Sequence, residues 1–564
     1  MLRSFLSAAD RGETVWLGDV REAFRNLTDD RRIVLRLTAF DGKVRDWEYR
    51  LPVWRSKQEA AFIQEYLCAC VFNMLSCFGG RELRFFLPSG DSSLEEMTAG
   101  LSRVFQVQEK NRSGYGKVIS ISNRLSRAFG GGAVRFVLDS LDQYRPLPEN
   151  LQADETDLGS KLKGLVRIAG LGLRCGIDVG GTDIKAAVCY DGVLVAVHEL
   201  DWNPASYDTA DKIILPILRL VCLMSEEASG RVSYPGKLNL ELLETHVPDN
   251  TFSGITRKYD SIGLSFPDVV IGNRILGGET PKTHGLRNNP DLDYETEFAH
   301  VSKLKERLQS LCVPQGRVRI ANDGNVAAFT AAVEMACQGL DLHGGVFAHS
   351  LGTDLGTGWL TGQGEIPSLP LEMYDFMLDL GSHPQRLFRA EDVRSVRNEN
   401  SGLPDARKYL GQSAAFRLAY ENDPKLLDEY LVQDGDLLVV QVHPEDKRKV
   451  CLEQLMQKTE QGDEKACDVF RRIGQNLGQI SREIEWLLHT GIGKRYLYGR
   501  FVKHPCCFTL LQEGCREIMP GLELIAADEN LAYSAMMRAL TGIEGCTVAQ
   551  FGQAIGSIYY GLTD

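Results

Sequence analysis

Apolar and polar positions along the chain fall into two stretches of different rhythm. In the first, two alternating runs, Arg32–Phe40 and Lys43–Leu51, flank Asp41-Gly42, a two-residue hairpin turn. A long apolar run at helical spacing, Lys57–Cys77, follows and is closed by Gly79-Gly80. A strand at Glu82–Leu87, a helix from Ser92 or Ser93 to Phe105, and further strand and helix to Asp139 complete an α+β unit over 1–160. Pro146, Pro148 and the acidic stretch Asp154–Asp157 read as a linker.

The second stretch begins at Leu171. Strands at Leu173–Ile177, Asp183–Tyr190 and Val193–Leu200 are joined by the turns Gly180-Gly181-Thr182 and Asp191-Gly192, and a helix follows at Asp211–Ser225. The polar segment 226–258 reads as an insertion. A strand at Ser261–Ser265, helix around Leu304–Ser310, and a strand Arg317–Ala321 running into a helix from Asn325 close one lobe at about 330. A strand Gly345–Ser350 then enters a Gly-rich turn, 373–490 is mainly helical, and Arg495–Leu497 opens a last strand–helix unit. The expected organisation is therefore 1–160, 171–330 and 331–564, the last carrying a helical insertion.

Composition narrows the function classes. The 564 residues are 43% hydrophobic and 25% charged, ordinary values for a globular chain. With 63 Lys and Arg against 76 Asp and Glu, the net charge is −13, which argues against nucleic acid as the partner of the whole chain. The residues up to Asn150 carry 22 basic and 19 acidic side chains, so the acidity belongs to the rest. The absence of a helix-turn-helix pattern in that first block argues further against a DNA-binding regulator. No window approaches 18 uncharged apolar residues, so no membrane span is expected. The start, Met1–Asp10, lacks a signal-peptide core, and the 14 Cys are scattered without a C-x-x-C pair. Reduced thiols and a cytoplasmic setting are the expectation.

Three segments carry chemistry. In Asp178-Val179-Gly180-Gly181-Thr182-Asp183-Ile184-Lys185, a strand ends in a carboxylate and two glycines open the backbone N–H groups to an anion. Thr182 adds a hydroxyl, Lys185 a positive charge, and Asp178 suits a hydrated Mg²⁺. In Asn322-Asp323-Gly324-Asn325 a carboxylate stands at a strand-to-helix junction, where an Asp is either an N-cap or a general base. Gly352-Thr353-Asp354-Leu355-Gly356-Thr357 forms a second Gly/Thr cradle after a strand.

In this order the segments resemble the actin-like ATPase superfamily and, within it, the ROK sugar kinases. The resemblance covers about 172–560 and leaves the first 160 residues outside it. Ser261-Ile262-Gly263-Leu264-Ser265-Phe266-Pro267 is similar to that family's G-x-G-x-P-G strand, Leu497-Tyr498-Gly499-Arg500 to its adenosine loop, and 526–532 to its closing helix. It implies an α/β, two-lobed, ribonuclease H-like fold with an additional N-terminal α+β domain. It also implies ATP- and Mg²⁺-dependent phosphoryl transfer to a sugar hydroxyl. Asp323 would be the base and Asp178 the metal-associated carboxylate. Gly180, Gly181, Thr182, Lys185, Gly352, Thr353, Gly356, Thr357 and Gly499 would hold ATP. Asn288, Asn289 and Asn322 would contact the sugar.

The family's usual Glu-x-x-His and Cys-rich zinc segment has no counterpart, because 365–400 holds no Cys and only His383, so no structural zinc is expected. Glu365 and Glu372 both remain open as the sugar-binding Glu. Asp354 would repel phosphates, which keeps a catalytically degenerate sugar- or nucleotide-binding protein as the alternative, with a ROK-type transcriptional regulator behind it. Dimers are common in the family, and a homodimer is left open.

Overall fold

The computed structural model describes all residues except 29, 107–113, 149–156, 234–237, 248–251, 253–254, 278–282, 353–354, 382–404, 435–436, 443, 503 and 528–530. In the N-terminal block β1 (Asp30–Thr38) and β2 (Val44–Pro52) pair across the Asp41-Gly42 turn. β3 (Glu82–Leu87) adds to β1 antiparallel and β4 (Arg135–Ser140) to β3 parallel. Helix α1 (Lys57–Phe78) starts where the Ser56 hydroxyl accepts from the Glu59 N–H at 3.1 Å, and stops at Gly79, whose φ of 60° favours glycine. By length and composition α1 could cross a membrane, contrary to the sequence expectation. However, 83% of its most apolar window is buried within the fold.

The next sheet contains β5 (Leu173–Val179), β6 (Asp183–Tyr190), β7 (Val193–Asp201), β8 (Tyr259–Phe266) and, beyond the short pair β9 (Val270–Ile271) and β10 (Arg274–Ile275), β11 (Cys312–Asn322). Its order is β11-β8-β5-β6-β7, antiparallel within β5–β6–β7 and parallel along β5–β8–β11. A second sheet repeats the plan. β12 (Gly345–Leu351) pairs antiparallel with β13 (Leu355–Thr361). After a hairpin of β14 (Leu431–Asp434) and β15 (Leu437–Val440), β16 (Lys494–Gly499) and β17 (Glu523–Ala526) add in parallel to give β13-β12-β16-β17. Antiparallel strands followed by parallel strands on the other side of the first, once with a three-stranded meander and once with a hairpin, make the ribonuclease H-like duplication. The fold is actin-like.

Two helices join the lobes: α3 (Asp323–Gln338), which leaves β11, and α6 (Val548–Tyr560). α6 lies flush on the first sheet because Gly176 and Gly263 have no side chains there. A Cβ on Gly176 would stand 2.0 Å from the Ala554 carbonyl oxygen, and one on Gly263 1.7 Å from that of Ser557. α3 packs on α6 and on β12–β13. In the second lobe α4 (Glu464–Leu488) and α5 (Pro505–Ile518) meet closely at Gly474 and Gly514. The core is continuous between the N-terminal block and this lobe: Phe24, Tyr66 and Phe72 share one apolar cluster with Met373, Phe470 and Ile480.

Two sequence expectations shift. The closing helix expected over 526–532 is instead strand to Ala526, then 528–530 outside the described residues, with helix only at Ala535–Leu540, where the Ser534 hydroxyl caps. The helix after β11 starts two residues early, at Asp323, because the Asn322 side chain accepts from the Gly324 N–H and caps it there.

Candidate functional site

The first turn is built by backbone exchange. The Gly180 N–H donates to the Asp183 carbonyl at 2.8 Å, and Trp202 braces the turn from behind, its indole N–H donating to the Gly180 carbonyl at 3.0 Å. Gly181 and Thr182 are exposed at its tip, and the Thr182 hydroxyl donates to Asp183 at 3.2 Å. Lys185 pairs with Asp183.

At the end of β5, Asp178 accepts a hydrogen bond from the Ser265 hydroxyl at 2.7 Å. The Gln553 side-chain amide on α6 donates both to Ser265 Oγ and to the Asp323 carbonyl, each at 2.8 Å. One amide on a joining helix thus ties the carboxylate of the first turn to the start of α3. Burial pushes Asp178 up to about 6. Ser265 and Lys185 pull it down, while the negative charges of Asp323 and Asp183 push it up. The Asp323 carboxylate accepts from the Gly324 N–H at 2.9 Å.

The second lobe meets α3 without side chains in between. A Cβ on Gly358 would lie 1.8 Å from the Gly324 carbonyl oxygen, and one on Gly324 2.0 Å from that of Thr357. The Asn325 amide oxygen accepts from the Trp359 N–H at 3.0 Å. Gly356, second in β13, pairs with Ser350, and Gly352 follows the end of β12, its carbonyl accepting from the Gln412 N–H at 3.0 Å. Gly499 pairs with Leu351 at φ 110°, so close that a Cβ would stand 2.0 Å from the Leu351 carbonyl oxygen. Asp178, Gly180, Lys185 and Asp323 thus gather near the α3 N-terminus, and Gly352, Gly356 and Gly499 stand at one end of β12–β13–β16, with β13 touching α3 at Gly358. Thr353 and Asp354 lie outside the described residues, as does His383.

Several expected site residues have other surroundings. Thr357 shares the pleat of Leu355 and Trp359, which pack into the second lobe's core, whereas Gly358 and Leu360 face α3. Its hydroxyl is buried, has no partner, and points away from α3. Asn289 is a turn residue: its amide nitrogen donates to the Asp208 carbonyl at 2.9 Å and its amide oxygen accepts from the Asp291 N–H at 3.0 Å, which holds the side chain in the turn with one donor and one acceptor site left. Asn322 caps α3 and donates to the Asp268 carbonyl at 3.1 Å. Asn288 ends the short helix His284–Asn288, exposed and engaged within the chain.

Geometry separates the two glutamates. Glu365 is exposed beyond the end of β13 that pairs with Gly345, the end remote from the Gly352–Gly356 turn. Glu372 is buried on the turn Met373–Asp375, where the Tyr374 hydroxyl donates to it. Burial pushes Glu372 up to about 8; Asp375 and Asp268 add to the rise, while Tyr374 and Lys117 oppose it. Asp268, whose carbonyl holds Asn322, links this turn to the start of α3. Asp268, Asp375, Lys117 and Gln553 were not found from sequence. The Glu372-x-x-Asp375 spacing was the one available signal, since it puts two carboxylates on a single turn.

The donor set suits a hydrated cation. Asp178, Asp183 and Asp323 interact electrostatically against one cation, Lys185, yet among the described residues no three His, Cys, Asp or Glu side chains could cage a metal directly. A divalent ion here would bind through its water shell beside Asp178. The exposed tip Gly181-Thr182 leaves backbone open to a polyphosphate, whereas the side-chain directions of Gly180, Gly356 and Gly499 face Asp183, Ser350 and Leu351.

Neither a protein-family model nor a curated protein sequence matches the chain. Among solved structures, it is similar to a ROK family glucokinase from Streptomyces griseus, crystallised with glucose and AMPPNP, at 17% identity and TM-score 0.39, covering 69% of this chain and 98% of that one. It is also similar to a ROK hexokinase from Thermus thermophilus at 15% identity and TM-score 0.40, with the same shares covered. A third is Lmo2764, a putative N-acetylmannosamine kinase from Listeria monocytogenes, at 12% identity and TM-score 0.38, again over 69% and 98%. The assignment of the fold rests on the strand order of the two sheets.

Proposed function

We propose that the protein is an ATP- and Mg²⁺-dependent kinase that phosphorylates a hydroxyl of a sugar or sugar-like polyol. One observation carries this reading: the Gln553 amide ties the Asp178–Ser265 pair to the start of α3, where Gly324 meets Gly358 of β13 in the second lobe backbone to backbone. Carboxylates of two roles then flank a backbone cradle in one cleft. Bound ATP and its hydrated Mg²⁺ supply the transferable phosphoryl group and offset its charge.

The protein's own groups do the rest. Asp323 accepts the proton of the acceptor hydroxyl as its oxygen is aligned for attack. Asp178 orients the water shell of the cation, and its own ionisation is set by burial and by Ser265. The exposed backbone at Gly181–Thr182, together with Gly352 and Gly356, fixes the polyphosphate. Glu372, kept neutral below about pH 8, is a hydrogen-bonding group for a polyol rather than an anion that repels phosphate. Relative motion of the lobes about α3 and α6 excludes water during transfer. A cytoplasmic setting suits this substrate class.

A panel of hexoses, aminosugars and polyols with coupled ADP detection tests the reading. Turnover of at least one sugar is expected. Binding of ATP analogues without turnover of any acceptor would instead favour the degenerate binding protein.

A further inference from the structure

One helix of the N-terminal block, α2 (Gly116–Ala128), touches both lobes. Lys117, Ile121, Arg124, Leu125 and Ala128 recur on it at helical spacing and form one stripe. Toward the first lobe, Ile121 and Leu125 join Phe40 in an apolar cluster with Val269, Ile271 and Leu276. Arg124 donates to the Gly277 carbonyl at 2.7 Å and pairs with Glu295 at 2.8 Å. At the other end of the stripe Lys117, 2% exposed, places its Nζ 2.6 Å from Asp375 Oδ2 in the second lobe.

That contact is not a surface ion pair. Asp375 is held from its other side by Arg407 at 2.5 Å, which in turn pairs with the fully buried Asp405 at 2.9 Å. Two cations against two carboxylates balance the cluster, and the Arg407 and Lys117 charges hold Asp375 below the usual carboxylate range despite its burial. The Glu372–Asp375 turn is also pinned through its backbone by α1: the Glu372 N–H donates to the Ser76 carbonyl at 3.0 Å and the Leu371 N–H to that of Cys77 at 3.2 Å. The groups facing Glu372 come from three elements: Asp375 and Tyr374 on its own turn, Lys117 on α2, and Asp268 after β8.

We propose that Lys117 is a positioning residue of the acceptor pocket: by gripping Asp375 from outside the two lobes, it fixes the turn that presents Glu372 to the polyol, and so makes acceptor binding depend on the docked N-terminal block. This deepens the sugar-kinase reading and rests on it for the identity of the ligand. The stripe's contacts given above go to Asp375, Gly277, Glu295 and the Val269–Leu276 cluster, so the effect is expected on the acceptor alone.

The test compares full-length wild type with K117M, D375N and the K117M/D375N pair. K117M should raise the acceptor KM tenfold or more and leave the nucleotide KM within twofold. The double variant should be no worse than D375N, since Lys117 acts through Asp375. Additive losses, or an equal rise in both KM values, overturn the proposal. K117M strands a buried carboxylate with one cation, so if it does not fold, the charge-balanced double variant is compared with D375N instead. There, a double variant clearly worse than D375N overturns the proposal.

A second readout needs no turnover: the carboxylic-acid carbonyl band of Glu372 in infrared difference spectra against E372Q. Its titration midpoint should rise in K117M and fall in D375N, and one midpoint shared by all variants overturns the proposal. If wild type phosphorylates no sugar, the functional reading fails, while this spectroscopic arm still decides the role of Lys117.

Discussion

Replacing Glu372 with Gln isolates the cost of a buried acid. The folded protein holds Glu372 at about 8, against 4.5 for an unhindered glutamate. Between these values the folded chain keeps a proton that the unfolded chain releases, so stability falls as pH rises from about 4.5 to about 8 and is level above that. At about 1.4 kcal/mol per pH unit, the full span is on the order of 4–5 kcal/mol; water entry and relaxation around an ionised group would reduce that to about 2–4 kcal/mol. A glutamine is uncharged throughout and still accepts the Tyr374 hydroxyl hydrogen bond. Urea unfolding of wild type and E372Q at pH 5 and pH 8.5 therefore gives a difference that grows in favour of E372Q by about 2 kcal/mol or more at the higher pH. A difference that does not change with pH would refute the buried, neutral Glu372 and with it the electrostatics of the proposed acceptor pocket.

Two further outcomes follow from named contacts. Gly263→Ala drives a methyl into the Ser557 carbonyl of α6, so it should destabilise the chain by about 3 kcal/mol or more, visible as a thermal midpoint well below that of wild type; an unchanged midpoint would contradict the flush packing of the joining helix. Ser265→Ala removes a hydrogen bond that lowers Asp178, so the acid limb of the pH–rate profile should move upward from about 6; an unmoved limb would show that Asp178 does not control the rate.

Legibility in the sequence followed the range of the interactions. The β5–β6–β7 meander was readable because its turns, Gly180-Gly181-Thr182 and Asp191-Gly192, are local, and because alternation marks each strand. The duplication was readable only through motif order, since β16 and β17 lie far along the chain from β12. Side-chain allegiance was harder. An Asn before a helix is both a cap and a polyol ligand on paper, and only the Gly324 and Asp268 contacts assign Asn322 to the cap. Asn289 has the same double reading, its amide being tied to Asp208 and Asp291 within the turn. The direction of Thr357 is not legible because pleat direction depends on which strand face meets α3, a tertiary fact. Lys117 left no trace: it lies 258 residues from Asp375, in a block that the family resemblance does not cover.

The most direct measurement is the rate of sugar phosphorylation by Asp323→Asn relative to wild type, with nucleotide affinity measured alongside by calorimetry. The account predicts a fall of roughly 10²–10⁴-fold in turnover with an unchanged thermal midpoint and nucleotide binding retained. Full turnover in the Asn variant would contradict it.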